Sequence, residues 1–148
     1  MAYAYSTGPL ENQVTFGAQS HTMSKTVWTK VLNNHHCDKV WATILVFALD
    51  GTKHLIDHAI LCLDPMSSHF RVSDVSCANE FEVQVGIWPR MDADDVLVGV
   101  FGKDECGVLN PSHRLVHQEM TPIEDLCFLN NDPRVSPSAQ RPENAAGA

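Results

Sequence analysis

The chain carries little positive charge and contains no long hydrophobic run. Its 148 residues include 10 Lys and Arg against 18 Asp and Glu, a formal net charge of −8 with His neutral. Proteins bind nucleic acids largely through clustered Lys and Arg, so this balance predicts that nucleic acid is not a partner. The longest apolar run, residues 40–49, is interrupted by Thr43 and is shorter than the roughly 20 residues of a membrane-spanning helix. We therefore expect no membrane partner either.

Sequence motifs of the common enzyme classes are also missing. The five cysteines are never spaced as C-x-x-C, which speaks against a zinc ribbon or a thioredoxin-like redox site. No G-x-S-x-G segment marks a nucleophilic serine, and Gly99 and Gly102 lie in a strand-like segment that opens no helix, unlike a phosphate-binding loop. We therefore expect a protein that is not an enzyme and that needs no cofactor.

Histidines and acidic residues occur in patterns that resemble metal sites without completing them. Two His pairs have i, i+4 spacing, which in a strand separates the side chains by about 13 Å. These pairs are His54 with His58 and His113 with His117. The adjacent residues 35–37, His-His-Cys, lack further ligands nearby in the sequence, and the acidic segment 91–95 has Lys103 where a calcium loop needs Glu. We expect no metal site.

What the sequence does contain is a series of short strand patterns separated by turn signals. Residues 80–88 alternate most regularly, with Phe81, Val83, Val85 and Ile87 on one face. Residues 40–49 are apolar on both faces, as in a central strand, and end at Asp50-Gly51, a tight-turn dipeptide. Segments of this kind lie at residues 23–32, 40–49, 52–63, 70–72, 80–88, 96–102 and 113–120. About seven to eight strands predict an antiparallel β-sandwich or jelly roll over residues 23–120.

The two ends differ in composition from this domain. Residues 1–22 are polar and irregular, which predicts an extended N-terminal arm. Residues 121–148 hold four of the eight prolines and read as a Pro-rich C-terminal tail. Its apolar residues that could dock on the body are Ile123, Leu126, Phe128 and Leu129. The N-terminus lacks the basic start and apolar stretch of a secretory signal, so we expect synthesis in the cytoplasm without a signal peptide.

Two sets of residues are candidates for a role outside the core. Cys37, Cys77 and Cys106 fall in predicted turns and Cys127 in the tail, which favours disulfides between subunits after release into an oxidising setting. Trp88 ends a strand before Pro89 and is a candidate platform for a ligand. Trp28 and Trp41 lie within apolar strands, and we expect them in the core.

Several strand segments resemble a family of small β-sandwich proteins from spore-forming bacteria. The matching segments are Tyr5-Ser6-Thr7-Gly8-Pro9, Lys30-Val31-Leu32-Asn33-Asn34, Phe81-Glu82-Val83-Gln84-Val85, Val96-Leu97-Val98-Gly99-Val100-Phe101-Gly102, and Leu109-Asn110-Pro111 with His113-Arg114 and His117. The resemblance implies the sandwich fold and no activity. The chain is also loosely similar to endospore appendage subunits, jelly rolls that join into fibres through N-terminal arms. Those arms are rich in cysteine, whereas residues 1–36 here contain none.

Together these observations predict a non-enzymatic structural subunit that self-assembles into an oligomer or fibre. The arm, the tail and the strand edges are the candidate contacts, because an unpaired edge can accept a strand from another copy. We expect the assembly at a spore or cell surface. The alternative is a carbohydrate- or ligand-binding β-sandwich module that uses Trp88.

Overall fold

The computed structural model of the chain describes residues 3–127, which form twelve strands and two short 3₁₀ helices. The strands are β1 (Ala4–Ser6), β2 (Leu10–Glu11), β3 (Gln13–Phe16), β4 (Gln19–Thr22), β5 (Thr26–Asn33), β6 (Val40–Ala48), β7 (His54–Leu63), β8 (Ser67–Asp74), β9 (Glu80–Trp88), β10 (Val96–Lys103), β11 (Leu109–Leu115) and β12 (Thr121–Ile123). The helices are Arg90–Asp95 and His117–Glu119. We call the first of them the acidic helix.

Most strands belong to two antiparallel sheets that enclose one core. The six-stranded sheet has the order β12-β1-β9-β6-β7, with β2 also paired to β9, and the four-stranded sheet has the order β11-β10-β5-β8. Side chains of both sheets, such as Val31 and Val98 from one and Ile44 and Val85 from the other, belong to one buried apolar cluster. The prediction of an all-β sandwich is confirmed.

The predicted central hairpin is present. Strand β6 lies between β9 and β7, and Ile44, Leu45, Val46 and Phe47 are fully buried, because both faces of this strand are covered. Gly51 in the turn has φ +90°, a conformation that side chains rarely adopt. The strand whose two faces are both apolar is therefore the one that the protein covers on both faces.

The N-terminal segment, expected as an extended arm, pairs with the body of its own chain. β1 lies between β9 and β12, with Tyr5 opposite Val85, and β2 continues along the same edge of β9. Tyr3, Ala4 and Tyr5 are buried as part of the core. β3 and β4 form a separate hairpin.

The start of the predicted tail also docks on the body. β12 pairs with β1, Ile123 packs against the core, and Leu126 is buried over Gly86. A side chain at Gly86 would lie 2.7 Å from Cδ1 of Leu126, so the glycine makes room for this segment. Phe128 and Leu129, the other predicted docking residues, lie outside the described residues.

The link between β9 and β10 contains a short helix. It is the acidic helix, and it joins two different sheets, since β9 belongs to the six-stranded and β10 to the four-stranded sheet. Ala93 is fully buried and fixes the helix against the end of the sandwich, while Met91 is 78% exposed. The apolar side chain of Met91 is thus exposed to solvent beside the acidic residues of this helix.

Candidate functional site

The four-stranded sheet turns an apolar face towards solvent. In β5 and β10 the alternate residues Val27, Val31, Val96 and Val98 point into the core, so their neighbours point outward. We call this outward set the outer face. Its exposed large apolar residues are Leu32, Phe70, Val72, Leu97, Leu109 and Val116. The solvent face of an antiparallel sheet is normally polar, which makes this face the strongest candidate for a functional surface.

Aromatic rings and lysines pack together on this face. Trp28 and Phe70, on neighbouring strands, stack with ring centroids 5.1 Å apart and an interplanar angle of 18°. Lys103 Nζ lies 3.8 Å from the centroid of the Trp28 ring and Lys30 Nζ lies 5.9 Å from that of Phe70. Such contacts hold the two ammonium groups above the aromatic surface.

A groove crosses the outer face next to these rings. It has a volume of about 690 Å³, and Leu32, Leu97, Phe101 and Val116 line it. A smaller depression of about 370 Å³ adjoins it and shares Lys30 and Phe101. Gly99 forms part of the groove, and a Cβ there would lie 2.9 Å from Cε2 of Phe101. The missing side chain therefore lets Phe101 lie across the strand.

The expectations for two tryptophans were wrong. Trp28 was expected in the core, but it is half-buried on the outer face. Trp41, also expected in the core, is half-buried on β6. Of β10, next to Trp28, only one face is buried. The signal was present in the sequence, because both alternating sets of β10 are apolar. A strand that is apolar on both faces can be covered on both sides, or it can leave one apolar face exposed to solvent.

Unpaired cations concentrate on the outer face. Eight Lys and Arg lie among residues 3–127, and four of them, Lys39, Lys53, Arg71 and Arg90, pair with carboxylates. The four without a carboxylate within 4.0 Å among the described residues are Lys25, Lys30, Lys103 and Arg114. Three of these four belong to the outer face, since Arg114 lies opposite Phe101 on β11. The face is therefore both apolar and cationic in a chain of net charge −8.

Two loops that sequence reasoning treated separately meet at one end of the sandwich. Nε2 of His35 lies 2.7 Å from the carbonyl oxygen of Asp92, and Nδ1 lies 3.8 Å from Asp38 and 3.6 Å from Asp95. The hydrogen bond to the Asp92 backbone outweighs burial and, together with the carboxylates, raises the pKa of His35. His35, Asp38 and Asp92 each offer a ligand atom within 4.8 Å of the others, a geometry that could hold a cation. A protonated His35 also offsets part of the charge of these carboxylates, so the geometry does not demand a metal ion.

Ser24 and His113 form a hydrogen bond that no sequence motif predicted. Ser24 Oγ lies 2.6 Å from His113 Nδ1, whose Nε2 lies 2.7 Å from the carbonyl oxygen of Glu11. If Nε2 of His113 carries the proton and donates it to this carbonyl, Nδ1 is unprotonated and accepts a hydrogen bond from the Ser24 hydroxyl. Ser24 is fully buried and His113 is 3% exposed, so a substrate cannot reach the hydroxyl. The pair joins the N-terminal segment to β11 and has a structural role.

The cysteines all lie at the surface, although free cysteine is usually among the most buried residue types. Cys77 and Cys106 lie in loops at the end of the sandwich where Thr26 pairs with Asp74 and Lys103. Cys37 follows the other end of β5, and Cys127 accepts a hydrogen bond of 3.2 Å from Gln84 Nε2. Cys62, which was not a candidate, is exposed on β7. All five thiols are unpaired within the chain.

Trp88, the candidate ligand platform, is half-buried at the end of β9, opposite Trp41 on β6. The structure does not bring it next to the outer face, which lies on the other sheet. Aromatic side chains that share an exposed surface are instead Trp28 and Phe70.

No protein-family model matches the chain, and no match was found among curated proteins or solved structures. Within residues 3–127, no helix is long and apolar enough to cross a membrane.

Proposed function

We propose that the protein is a non-enzymatic structural subunit that self-assembles into an oligomer or fibre, and that the outer face is a contact between copies. The observation that carries this proposal is the exposure of Leu32, Phe70 and Leu97 on one continuous sheet face. Water contact with such a surface is unfavourable, and covering it with another copy removes apolar area from water.

The size of the outer face limits the area that association can bury. Four strands about 4.8 Å apart and about eight residues long at 3.3 Å per residue cover roughly 500 Å². An interface that buries this face on one copy and an equal area on another buries roughly 1,000 Å² in total, the low end for specific complexes. The proposal therefore predicts reversible, concentration-dependent assembly.

The exposed cysteines supply a second link. Cys37 lies at one end of the four-stranded sheet, whereas Cys77 and Cys106 lie at the other, so a contact through the outer face has thiols near both of its ends. Cys127 is exposed as well. In this proposal disulfides among these four residues lock an assembly that the apolar contact has already formed. A spore or cell surface, the predicted location, would provide the oxidising setting.

Light scattering after size-exclusion chromatography tests the proposal on the full chain under reducing conditions. We expect the mean mass to rise with protein concentration, and negative-stain images to show rings or fibres. A monomeric mass at the highest soluble concentration, with no particles larger than a monomer, would contradict it.

The alternative of a ligand-binding module has one observation in its favour, the stacked Trp28 and Phe70 beside the groove of about 690 Å³. Flat aromatic surfaces bind sugars and other ligands with apolar faces. A glycan screen on the monomeric fraction distinguishes the two functions. Binding that is lost in Trp28→Ala or in Trp88→Ala, without any change of mass, would support the module and locate its platform.

A further inference from the structure

Met91 on the acidic helix and the groove on the outer face have complementary properties. Met91 is 78% exposed, the largest exposed fraction among the described large apolar side chains. It does not line the groove of its own chain. The buried Ala93 and the ion pair of Arg90 with Asp125, 3.7 Å long, hold the helix at the end of the sandwich, so only another copy can bring a Met91 to this groove.

The charges of the two surfaces are opposite. Beside Met91 the helix presents the exposed Asp94, while Asp92 and Asp95 both lie near His35. The groove is bordered by Lys30, and Lys103 and Arg114 lie on the same face without a carboxylate partner among the described residues. Opposite potentials on two surfaces guide their encounter and fix their relative orientation.

We propose that the acidic helix of one copy docks in the outer-face groove of a second copy and inserts its Met91 side chain into that groove. Methionine is flexible and polarizable, which suits an irregular apolar groove lined by Leu32, Leu97 and Phe101. Asp94 then faces the cations of the groove. This inference rests on the proposed self-assembly and names the two surfaces that meet.

The geometry of this contact determines the kind of assembly. The helix lies at an end of the sandwich and the groove on its side, so the two contacting surfaces are different. When two copies share a single contact of this kind, the pair keeps one free helix and one free groove. Such a heterologous contact propagates into a ring or a fibre, whereas reciprocal insertion of both helices around a two-fold axis would close a dimer.

A mixing experiment tests the contact. Met91→Asp removes the apolar tip but keeps the groove, and Leu97→Asp spoils the groove but keeps the tip. Each variant alone should be monomeric by light scattering, while a mixture of equal amounts should form a dimer that grows no further. Control variants at exposed sites elsewhere, Met23→Asp and Ile60→Asp, should assemble like the unmodified chain.

The outcomes separate this inference from the proposed function. If the unmodified chain assembles but the Met91→Asp and Leu97→Asp variants, folded by circular dichroism, assemble equally well, the docking is wrong and self-assembly uses another surface. A mixture that stays monomeric would overturn it too. If the unmodified chain is itself monomeric, the proposed function fails. A charge exchange gives an independent check: Lys30→Glu should weaken assembly, and mixing it with Asp94→Lys should restore it.

Discussion

Arg71 on β8 donates two hydrogen bonds to the carboxylate of Asp57 on β7, with N···O distances of 3.0 and 2.8 Å. The two strands belong to different sheets, so this bidentate pair joins the layers of the sandwich at the side where β7 and β8 meet. Ser73 on β8 adds a third hydrogen bond of 2.6 Å to the same carboxylate. The pair is therefore a polar contact that links the two sheets beside their apolar core.

Asp57 should make the stability of the protein depend on pH. Burial raises the pKa of its carboxyl, but the hydrogen bonds from Arg71 and Ser73 outweigh it, so the pKa lies below the ordinary value. The carboxylate therefore stabilises the folded state above the unfolded pKa of about 3.9, and this contribution is lost as the pH falls through the folded pKa.

Urea unfolding of Asp57→Asn tests this dependence. At pH 7 the variant should lose about 1 kcal/mol, because Ser73 and the Arg71 guanidinium, which is 42% exposed, lose their charged acceptor. The difference from the unmodified chain should shrink in acid. Asp64→Asn is the matched control, since Asp64 pairs with the exposed Lys39 on the surface, where ion pairs contribute little. An equal loss in both variants would rule out a special role for Asp57.

Gly102 should not tolerate a side chain. A Cβ there would lie 2.7 Å from Cβ of His113 and would also collide with the hydroxyl of Ser24, both in the buried network behind β10. Gly102→Ala should destabilise the protein by roughly 1–3 kcal/mol, as overpacking of a filled core does. Gly99→Ala on the same strand meets only the movable ring of Phe101 on the outer face, so it should lose less. Thermal melts of the two variants that ranked the other way would contradict this account.

Removal of the N-terminal segment should destabilise the fold as well as any assembly. Deletion of residues 1–20 takes away β1, β2 and β3, including the buried Tyr3 and Tyr5. We expect a lower melting temperature or insoluble protein by circular dichroism and solubility assays. Phe16→Ser, at a 67% exposed position of the same segment, should melt like the unmodified chain. An unchanged melt after the deletion would mean that the segment adds nothing to the core.

Mild oxidation should cross-link copies through the exposed cysteines. At high protein concentration, oxidised glutathione reacts with one thiol to give a mixed disulfide, and a thiol of a second copy then displaces reduced glutathione. We expect a ladder of multimers on non-reducing gels. The ladder should disappear when Cys37, Cys77, Cys106 and Cys127 are all replaced by serine. A disulfide-linked dimer of equal intensity in that variant would assign a cross-link to Cys62, because a single thiol per chain can join no more than two copies.

Local patterns in the sequence were sufficient for the strands and turns. The alternation in residues 80–88 predicted β9, and Asp50-Gly51 predicted the hairpin between β6 and β7. These predictions succeeded because a period of two residues and a positive φ are properties of a few neighbouring residues. The candidate site was harder, since the apolar residues of β10 identify a strand but not which of its faces is covered.

By itself, the sequence determined that this chain forms an antiparallel sandwich, carries a net negative charge and has three of its five thiols in turns. Only the tertiary structure decided that β1 lies between β9 and β12, that His35 meets Asp92 and Asp95, and that Trp28 faces solvent. The physical reason is that these features depend on pairing between residues far apart in the chain. The sequence of a strand does not specify which strands will pair with it or pack on it, and its burial depends on those neighbours.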